Sequence, residues 1–112
     1  MITPQVITAT LIAGTATAYY TAPTTIKKAQ LKSITITNSE VATAYTVTIY
    51  LVPSAGTAAI ANMLVNARSI AAGETLHITE AENKVLAAGG MLQALASTAS
   101  KINIQGTVLE FT

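Results

Sequence analysis

The chain has 112 residues, no cysteine, a formal net charge of +1 and only 10% charged side chains, where a soluble domain typically has about 25%. The length suits a single domain over residues 1–112, and the lack of cysteine excludes disulfide bonds and thiolate metal sites. One arginine and five scattered lysines are too few for a nucleic-acid surface, because neutralised phosphates supply most of the affinity of such surfaces.

Alternating β-branched and small residues predict strands from the beginning of the chain. A run over 5–12 and a Thr-rich run over 15–21 flank an Ala-Gly pair, which predicts a hairpin. Strands are predicted next at 29–38 and 44–52, where apolar side chains occupy every second position. Asn38 begins the turn that separates these two strands.

The second half of the chain predicts shorter strands separated by turns that contain glycine. Residues 57–67 fit either a helix or a loop, and we expect a loop with at most one helical turn before a strand at 64–70. About eight short strands with little helix predict an all-β fold, either an antiparallel β-sandwich or a jelly-roll-like arrangement. The remaining strands are predicted at 74–79, 91–97 and 101–111, the last of them weakened or bulged at Gly106, and residues 85–86 lead into a turn at 87–90.

No stretch has the length and hydropathy of a membrane-spanning segment. A spanning helix needs about 20 consecutive apolar residues, and the best run, 85–96, is shorter and contains two glycines. The first fourteen residues have no positively charged segment, so we expect no secretory signal. The apolar excess comes from alanine and β-branched residues, beside nineteen threonines. Strand faces of this kind are poorly protected against association, so we expect neighbouring chains to cover part of them.

The residues needed for catalysis are sparse. The only histidine, His77, has Glu74 and Glu80 three positions away on either side, and residues three apart on a strand point to opposite faces. Glu80 and Glu82 would share a face only if the strand extended that far, and their segment resembles a solvated turn. No G-x-S-x-G elbow or phosphate-binding glycine loop occurs. We therefore predict a non-enzymatic protein with no catalytic residue, no cofactor and no metal site.

Six side chains are candidates for contacts with other chains. Outward tyrosines suit interfaces because they bury a large area and keep one polar tip, although they can also cap a sandwich edge with hydrated hydroxyls. One of two adjacent tyrosines on a strand should point outward. The sole arginine either pairs with a carboxylate, within the chain or between chains, or lies exposed. The interface candidates are Tyr19, Tyr20, Tyr45, Tyr50, Arg68 and Phe111.

From Tyr50 onward the chain shows a particular order of strands and turns. The segments are YLVPSAGT at 50–57, Ala61-Asn62, ARSIAAGET at 67–75, VLAAGGMLQA at 85–94 and a closing VLEFT at 108–112. In this order the chain resembles small virion proteins of tailed bacteriophages, over just over half of its length. The resemblance implies a β-sandwich subunit displayed many times on a particle, and it supplies no catalytic residue. Where some of those proteins have an acidic residue after the second turn glycine, this chain has Met91.

The predicted function is therefore adhesive rather than chemical. We expect a non-enzymatic virion structural protein of a bacteriophage that forms a homo-oligomer, a trimer or larger, and binds other virion proteins. A compact domain without fibrous repeats favours capsid decoration or cementing over a tail or baseplate role. The alternative is a carbohydrate- or receptor-binding module at the tail tip, marked by exposed tyrosines beside Asn, Gln and Thr. Neither nucleic acid nor membrane is an expected partner, and the expected location is the virion.

Overall fold

The structure, a computed structural model, describes residues 1–112 and contains two antiparallel β-sheets packed face to face. The all-β prediction is confirmed, with nine strands and only two single-turn 3-10 helices, at Ile60–Asn62 and Thr79–Ala81. None of the helical segments is long or apolar enough to cross a membrane. The strands are β1 (Ile2–Leu11), β2 (Thr17–Thr21), β3 (Lys28–Asn38), β4 (Tyr45–Val52), β5 (Met63–Ile70), β6 (Thr75–His77), β7 (Val85–Ala87), β8 (Met91–Ala96) and β9 (Ile102–Phe111).

The strands pair in a nested order. Sheet A has the order β1-β9-β3-β6, with β7 also paired to β3, and sheet B has the order β2-β8-β4-β5. The first strand therefore pairs with the last, the second with the last but one, and β4 with β5 at the centre. This is the pairing of one long hairpin wound into two sheets, which is the jelly-roll arrangement.

The predicted hairpin between the first two strands is wrong. β1 pairs with β9 and β2 pairs with β8, so the connection between them crosses from one sheet to the other. Ile12 in this connection is fully buried, its N–H donates to Ile102, and its carbonyl accepts from Ser100. The carbonyl of Ala13 accepts from Ala96. Because the connection bonds to the β8–β9 region and not to itself, the local Ala-Gly signal does not close a hairpin.

The apolar core lies between the two sheets and contains 21 buried residues. The alternation seen in the sequence predicts its main contributors correctly, since Ile34 and Ile36 of β3 and Val47 and Ile49 of β4 are all fully buried. β-Branched side chains fit the pleated surface of a strand with few accessible rotamers, which favours this core over one built on helices.

The sandwich measures 44 by 25 by 20 Å. The three longest strands have ten or eleven residues, about 33–37 Å at the usual rise per residue, so the long axis follows the strands. We call the two ends of this axis the lower end and the upper end. The lower end carries loops 22–27, 53–62 and 88–90, and the upper end carries loops 12–16, 39–44, 71–74 and 97–101.

Asn38 joins the two sheets at the upper end. Its side chain is fully buried, and its Nδ2 donates to the carbonyls of Thr43 at 2.9 Å and Ile70 at 3.0 Å. Its Oδ1 accepts from the N–H of Glu40 at 3.0 Å. Asn38 ends β3 of sheet A and Ile70 ends β5 of sheet B, so one amide group connects the layers. The sequence places a turn here, but it does not indicate that the amide is buried.

Candidate interface site

Two concavities occur on the surface, and neither is lined by a titratable side chain. The larger, about 510 Å³, lies over β1, β3 and β9 and is lined by the polar groups of Thr8, Ser33, Thr35, Gln105 and Thr107. The smaller is mainly apolar and lies between the β4 end and β7. Acid–base catalysis needs a positioned titratable group, so neither concavity contains the parts for it.

His77 stands apart from both concavities. Its side chain is 48% exposed, and its Nε2 lies 3.8 Å from an oxygen of Glu82. As predicted, neither Glu74 nor Glu80 lies against the ring. Glu74 accepts a hydrogen bond from the N–H of Ala71 at 2.8 Å, and Glu80 is paired with Arg68. No group of three or more His, Cys, Asp or Glu side chains is placed to hold a metal ion.

Arg68 forms a two-pronged ion pair with Glu80. Its Nη1 lies 3.0 Å from Oε1 of Glu80, and its Nη2 bonds to Oε2. The two side chains are 34% and 36% exposed. The pair ties the edge strand β5 to the 3-10 turn after β6, and the hydrogen bonds from Arg68 lower the pKa of the Glu80 carboxyl to about 2. This interface candidate therefore has its carboxylate partner within the chain.

The stabilisation from this ion pair should disappear in acid. A carboxyl whose pKa falls from 4.5 to about 2 on folding contributes its full stabilisation above its unfolded pKa and loses it as the pH drops through that interval. We expect wild type to melt above Glu80→Gln at pH 7 and both to melt together near pH 2, as followed by circular dichroism. Glu82→Gln removes the same charge without an arginine partner and serves as the control. A gap between wild type and Glu80→Gln that persists at pH 2 would contradict this assignment.

Tyr19 and Tyr20 both pack against the core. The hydroxyl of Tyr19 accepts from the N–H of Ala13 at 2.7 Å, and the hydroxyl of Tyr20 donates to Glu110 at 2.6 Å. The prediction that one of them points outward is wrong, because the β2–β8 register shifts between Ala18 and Tyr20. Such a bulge breaks the strict alternation of side chains on which the prediction depended.

Tyr45 and Tyr50 face opposite ways, as the alternation along β4 requires. Tyr45 packs against the core, whereas Tyr50 stands opposite Gln93 of β8 and Met63 of β5 and does not join the core. Tyr50 is thus the one tyrosine on an outer face, that of sheet B, and it is half-buried there. Its part in an interface stays a prediction.

The hydrogen bond from Tyr20 to Glu110 should stabilise the contact between the sheets, since it joins β2 to β9. Burial, assisted by the hydrogen bond and the charge of Glu110, raises the pKa of Tyr20 well above its usual value. We expect Tyr20→Phe to lower the free energy of unfolding by about 1–2 kcal/mol in urea denaturation. Tyr50→Phe is the matched control and should cost clearly less. Equal losses in the two variants would contradict a special role for the Tyr20 hydroxyl.

β1 is a long open edge of sheet A. It has ten residues, pairs with β9 on one side and has no strand on the other. The N–H of Met1 donates to the carbonyl of Thr112, and the N–H of Thr112 donates to the carbonyl of Met1. Hydrogen-bonded and non-bonded pairs alternate along an antiparallel ladder, so the backbone groups of Ile2, Pro4 and Val6 face away from β9. Pro4 has no N–H, but the other outward groups form a free row of donors and acceptors. The only buried side chain of β1 is Ile7.

Apolar side chains lie along the same edge. Ile2 and Val6 are 56% and 76% exposed. Ile2 pairs with Phe111, and Pro4 pairs with Leu109. Ile7 and Val108 point into the core, so side-chain alternation along β1 and β9 places these four residues and Val6 on the outer face of sheet A. We call this set the apolar strip, which consists of Ile2, Pro4, Val6, Leu109 and Phe111. The Nζ of Lys28 lies 4.9 Å from the ring centre of Phe111, and residues 1–26 carry no charged side chain.

The other free edges are short, bulged or covered. β2 has five residues and a bulge, and β6 and β7 have three residues each. β5 shifts register twice against β4, contains Ala67 at a φ of 45° and carries the Arg68–Glu80 pair. Irregular geometry and charge are the usual means of keeping an edge from pairing with another sheet. β1 has only Pro4 and one register shift between Ile7 and Thr10.

Of the six interface candidates, Phe111 lies beside β1, a strand that the sequence analysis did not select. The structure brings Phe111 into the apolar strip, turns Tyr19, Tyr20 and Tyr45 toward the core and pairs Arg68 within the chain. Two signals for β1 were present. A proline inside a strand pattern marks an edge strand, and the first charged residue of the chain is Lys27.

The comparisons with known proteins concern the fold. No protein-family model and no curated protein sequence matches the chain. The fold is similar to that of a chain from Bacillus endospore appendages, described as disulfide-linked pili, with a TM-score of 0.57 and 16% identity over 99% of this chain and 88% of that one. It is also similar to a chain of infectious bursal disease virus, Gx strain, with a TM-score of 0.51 and 14% identity over 99% of this chain and 33% of the virus chain.

A second virus structure, that of the T13 particle of infectious bursal disease virus, gives a TM-score of 0.50 and 14% identity over 98% of this chain and 31% of the virus chain. The present chain thus spans about a third of each virus chain. At these identities the likeness is one of fold. The chain has the jelly-roll sandwich that also occurs in a pilus protein and in a virus-particle protein.

Proposed function

We propose that this chain is a non-enzymatic structural subunit that assembles with copies of itself through the open edge of β1. The observation that carries the proposal is a ten-residue edge strand without a charged side chain, flanked by the apolar strip. A long, flat, apolar edge is a template for strand addition from another chain. The absence of titratable groups in both concavities, and the occurrence of the fold in a pilus and in virus particles, support the same function.

The partner strand that fits best is β1 of a second copy. The other edges are blocked, and an uncharged strand meets no repulsion when it lies antiparallel to itself. Even the smaller long side of the sandwich, 44 by 20 Å, has an area of about 880 Å², so a contact along one side can reach the roughly 800 Å² per partner of a stable interface. Two-fold pairing of this kind joins the two sheets A into one continuous sheet.

The contact between copies is non-covalent in this proposal. The endospore appendages are described as disulfide-linked pili, and this chain contains no cysteine. Backbone hydrogen bonds along β1, together with lateral contacts of Ile2, Pro4 and Val6 with the same strand of the other copy, therefore supply the stabilisation.

Within the same proposal, residues 1–112 act as one domain on the virion of a tailed bacteriophage, with capsid decoration ahead of a tail or baseplate position. The support is the sequence resemblance over residues 50–112 together with the fold shared with a virus-particle chain. Repetition on a lattice would add many weak contacts through avidity. Quantitative mass spectrometry of purified particles should find the chain in many copies beside the major capsid protein. Detection only in the unassembled fraction would contradict this location.

A carbohydrate- or receptor-binding role at a tail tip has less support. Three of the four tyrosines pack against the core, and two of their hydroxyls bond within the chain. That leaves Tyr50 alone on an outer face, which is not the tyrosine platform that this alternative requires.

Sedimentation velocity over a concentration series tests the self-association. We expect a species of at least twice the 11.5 kDa chain mass at micromolar concentrations. A single species at the mass of one chain, up to about 100 μM, would overturn the proposed assembly.

A further inference from the structure

The most exposed apolar side chains of the loops mark the two ends of the long axis. Val41 in the upper loop 39–44 is 94% exposed, and Ile60 in the lower loop 53–62 is 87% exposed. Both values exceed that of any apolar residue inside a strand, of which Val6 at 76% is the highest. Each end of the sandwich therefore presents a protruding apolar group that the β1 contact does not cover.

Both protruding groups are held in place by their surroundings. Ile60 begins a 3-10 turn in which Asn62 bonds to the N–H of Ala59 at 3.0 Å and to the carbonyl of Thr57 at 2.9 Å. The loop that holds Val41 is fixed by Asn38, which bonds to Glu40 before Val41 and to Thr43 after it, and by the Glu40–Lys101 ion pair. Side chains ordered before contact cost less entropy when a partner binds them.

The two ends also differ in charge. The lower end has a net charge of +1, the upper end has −1, and the groups between them sum to +1, which gives the chain total of +1. No carboxylate lies within ion-pair distance of Lys27 or Lys84, and at the upper end Glu74 has no cation partner. The groups counted are Lys27, Lys28 and Glu110 below, Glu40, Glu74 and Lys101 above, and Lys32, Lys84, Arg68, Glu80 and Glu82 between.

We propose that copies of this chain also associate end to end, with the lower end of one copy on the upper end of the next. Ile60 and Lys27 of one copy then face Val41 and Glu74 of the other. The occupant is the opposite end of a second copy, because two lower ends would bring lysines together. A head-to-tail contact leaves one unused end on each side, so it repeats along a line and does not close.

The size of the end decides how this contact forms. The cross-section of 25 by 20 Å allows at most about 500 Å² per partner, below the roughly 800 Å² of a stable interface. In a two-fold pair joined through β1, the two copies run antiparallel. Each end of the pair therefore consists of the lower end of one copy and the upper end of the other. Two pairs then meet through two end contacts, about 1,000 Å² in total. This strengthening rests on the proposed β1 pairing, whereas the end contact itself is a separate surface.

The test is the distribution of species in sedimentation velocity and negative-stain electron microscopy at low salt. We expect wild type to form linear species longer than the pair. The double variant Val41→Ser, Ile60→Ser should keep the pair and reduce the longer species by about tenfold or more. Lys27→Glu and Glu74→Lys should each do the same, and an equal mixture of the two variants should restore alternating lines. Lys32→Glu reverses the same charge in the middle of β3 and should behave as wild type.

The outcomes of this experiment distinguish the end contact from the β1 contact. Pairs without longer species in wild type overturn the end contact and leave the β1 contact standing. Longer species that persist in the Val41→Ser, Ile60→Ser variant overturn it as well. Monomers at every concentration overturn both contacts. Glu74 also accepts the N–H of Ala71, so the fold of Glu74→Lys is checked by circular dichroism, and the Val41 and Ile60 substitutions test the contact without touching that turn.

Discussion

Replacement of Val6 by lysine should convert the self-associating chain into a monomer without unfolding it. Val6 is 76% exposed near the centre of β1, and its backbone groups face away from β9, so the substitution disturbs neither the core nor the sheet. In a two-fold pair the two new ammonium groups would lie close together on the same outer face and repel each other. We expect the dissociation constant, measured by sedimentation equilibrium, to rise by at least about 100-fold.

Ser69→Lys provides the matched control for this experiment. Ser69 is exposed on β5, so the variant adds the same charge to the edge strand of the other sheet. Association should stay at the wild-type level in this variant. Equal weakening in both variants would indicate a general effect of charge, and unchanged association in Val6→Lys would exclude the β1 edge as the contact.

Asn38→Ala should be the most destabilising single change that leaves the apolar core intact. The substitution removes three hydrogen bonds and leaves the carbonyl of Ile70 and the N–H of Glu40 without their partner. An unsatisfied buried polar group costs about 1–3 kcal/mol, so we expect a loss of about 3–5 kcal/mol in urea denaturation. Domains of this size have a total stability of about 5–15 kcal/mol, so the variant should be partly unfolded at 37 °C.

Asn62→Ala is the control for Asn38→Ala, because it also removes side-chain hydrogen bonds but at an exposed position. The amide of Asn62 makes two hydrogen bonds, to Ala59 and Thr57, both on the exposed side of a loop. Water replaces exposed partners at little cost, so the expected loss is about 1 kcal/mol or less. If Asn38→Ala cost no more than Asn62→Ala, the link between the two sheets would not be a major source of stability.

Alternation along the chain predicted the strands because it reports which side chains of each strand are buried. It placed Ile34, Ile36, Val47 and Ile49 on the inside, where the structure has them. It could not predict which strands lie side by side, since period-2 alternation contains no information on the neighbour. The nested pairing joins β1 to β9, at the two extremes of the chain, and only the small central pair β4–β5 follows local order.

The candidate interface was predictable only in part for a related reason. The neutral composition predicted an adhesive surface, and Phe111, one of the six interface candidates, lies on the outer face of sheet A, while its part in an interface stays a prediction. The prediction for Tyr19 and Tyr20 was wrong because the register shift between Ala18 and Tyr20 breaks the alternation of side chains along β2, whereas Tyr45 and Tyr50 face opposite ways as predicted. The edge position of β1 depends on the whole sheet order, which no local segment specifies. Asn38 was predicted at a turn, and its burial depends on the opposite sheet.

Ile7 is the only side chain of β1 that is buried in the core. The exposed side chains of the same strand are available for contact with a partner. Eight of the ten side chains of β1 are exposed, and Thr3 is half-buried. Related chains that differ only in these eight exposed positions would keep one architecture and still distinguish their own copies from the others. If copies pair through β1 as proposed, recognition between like subunits can diverge within this single strand.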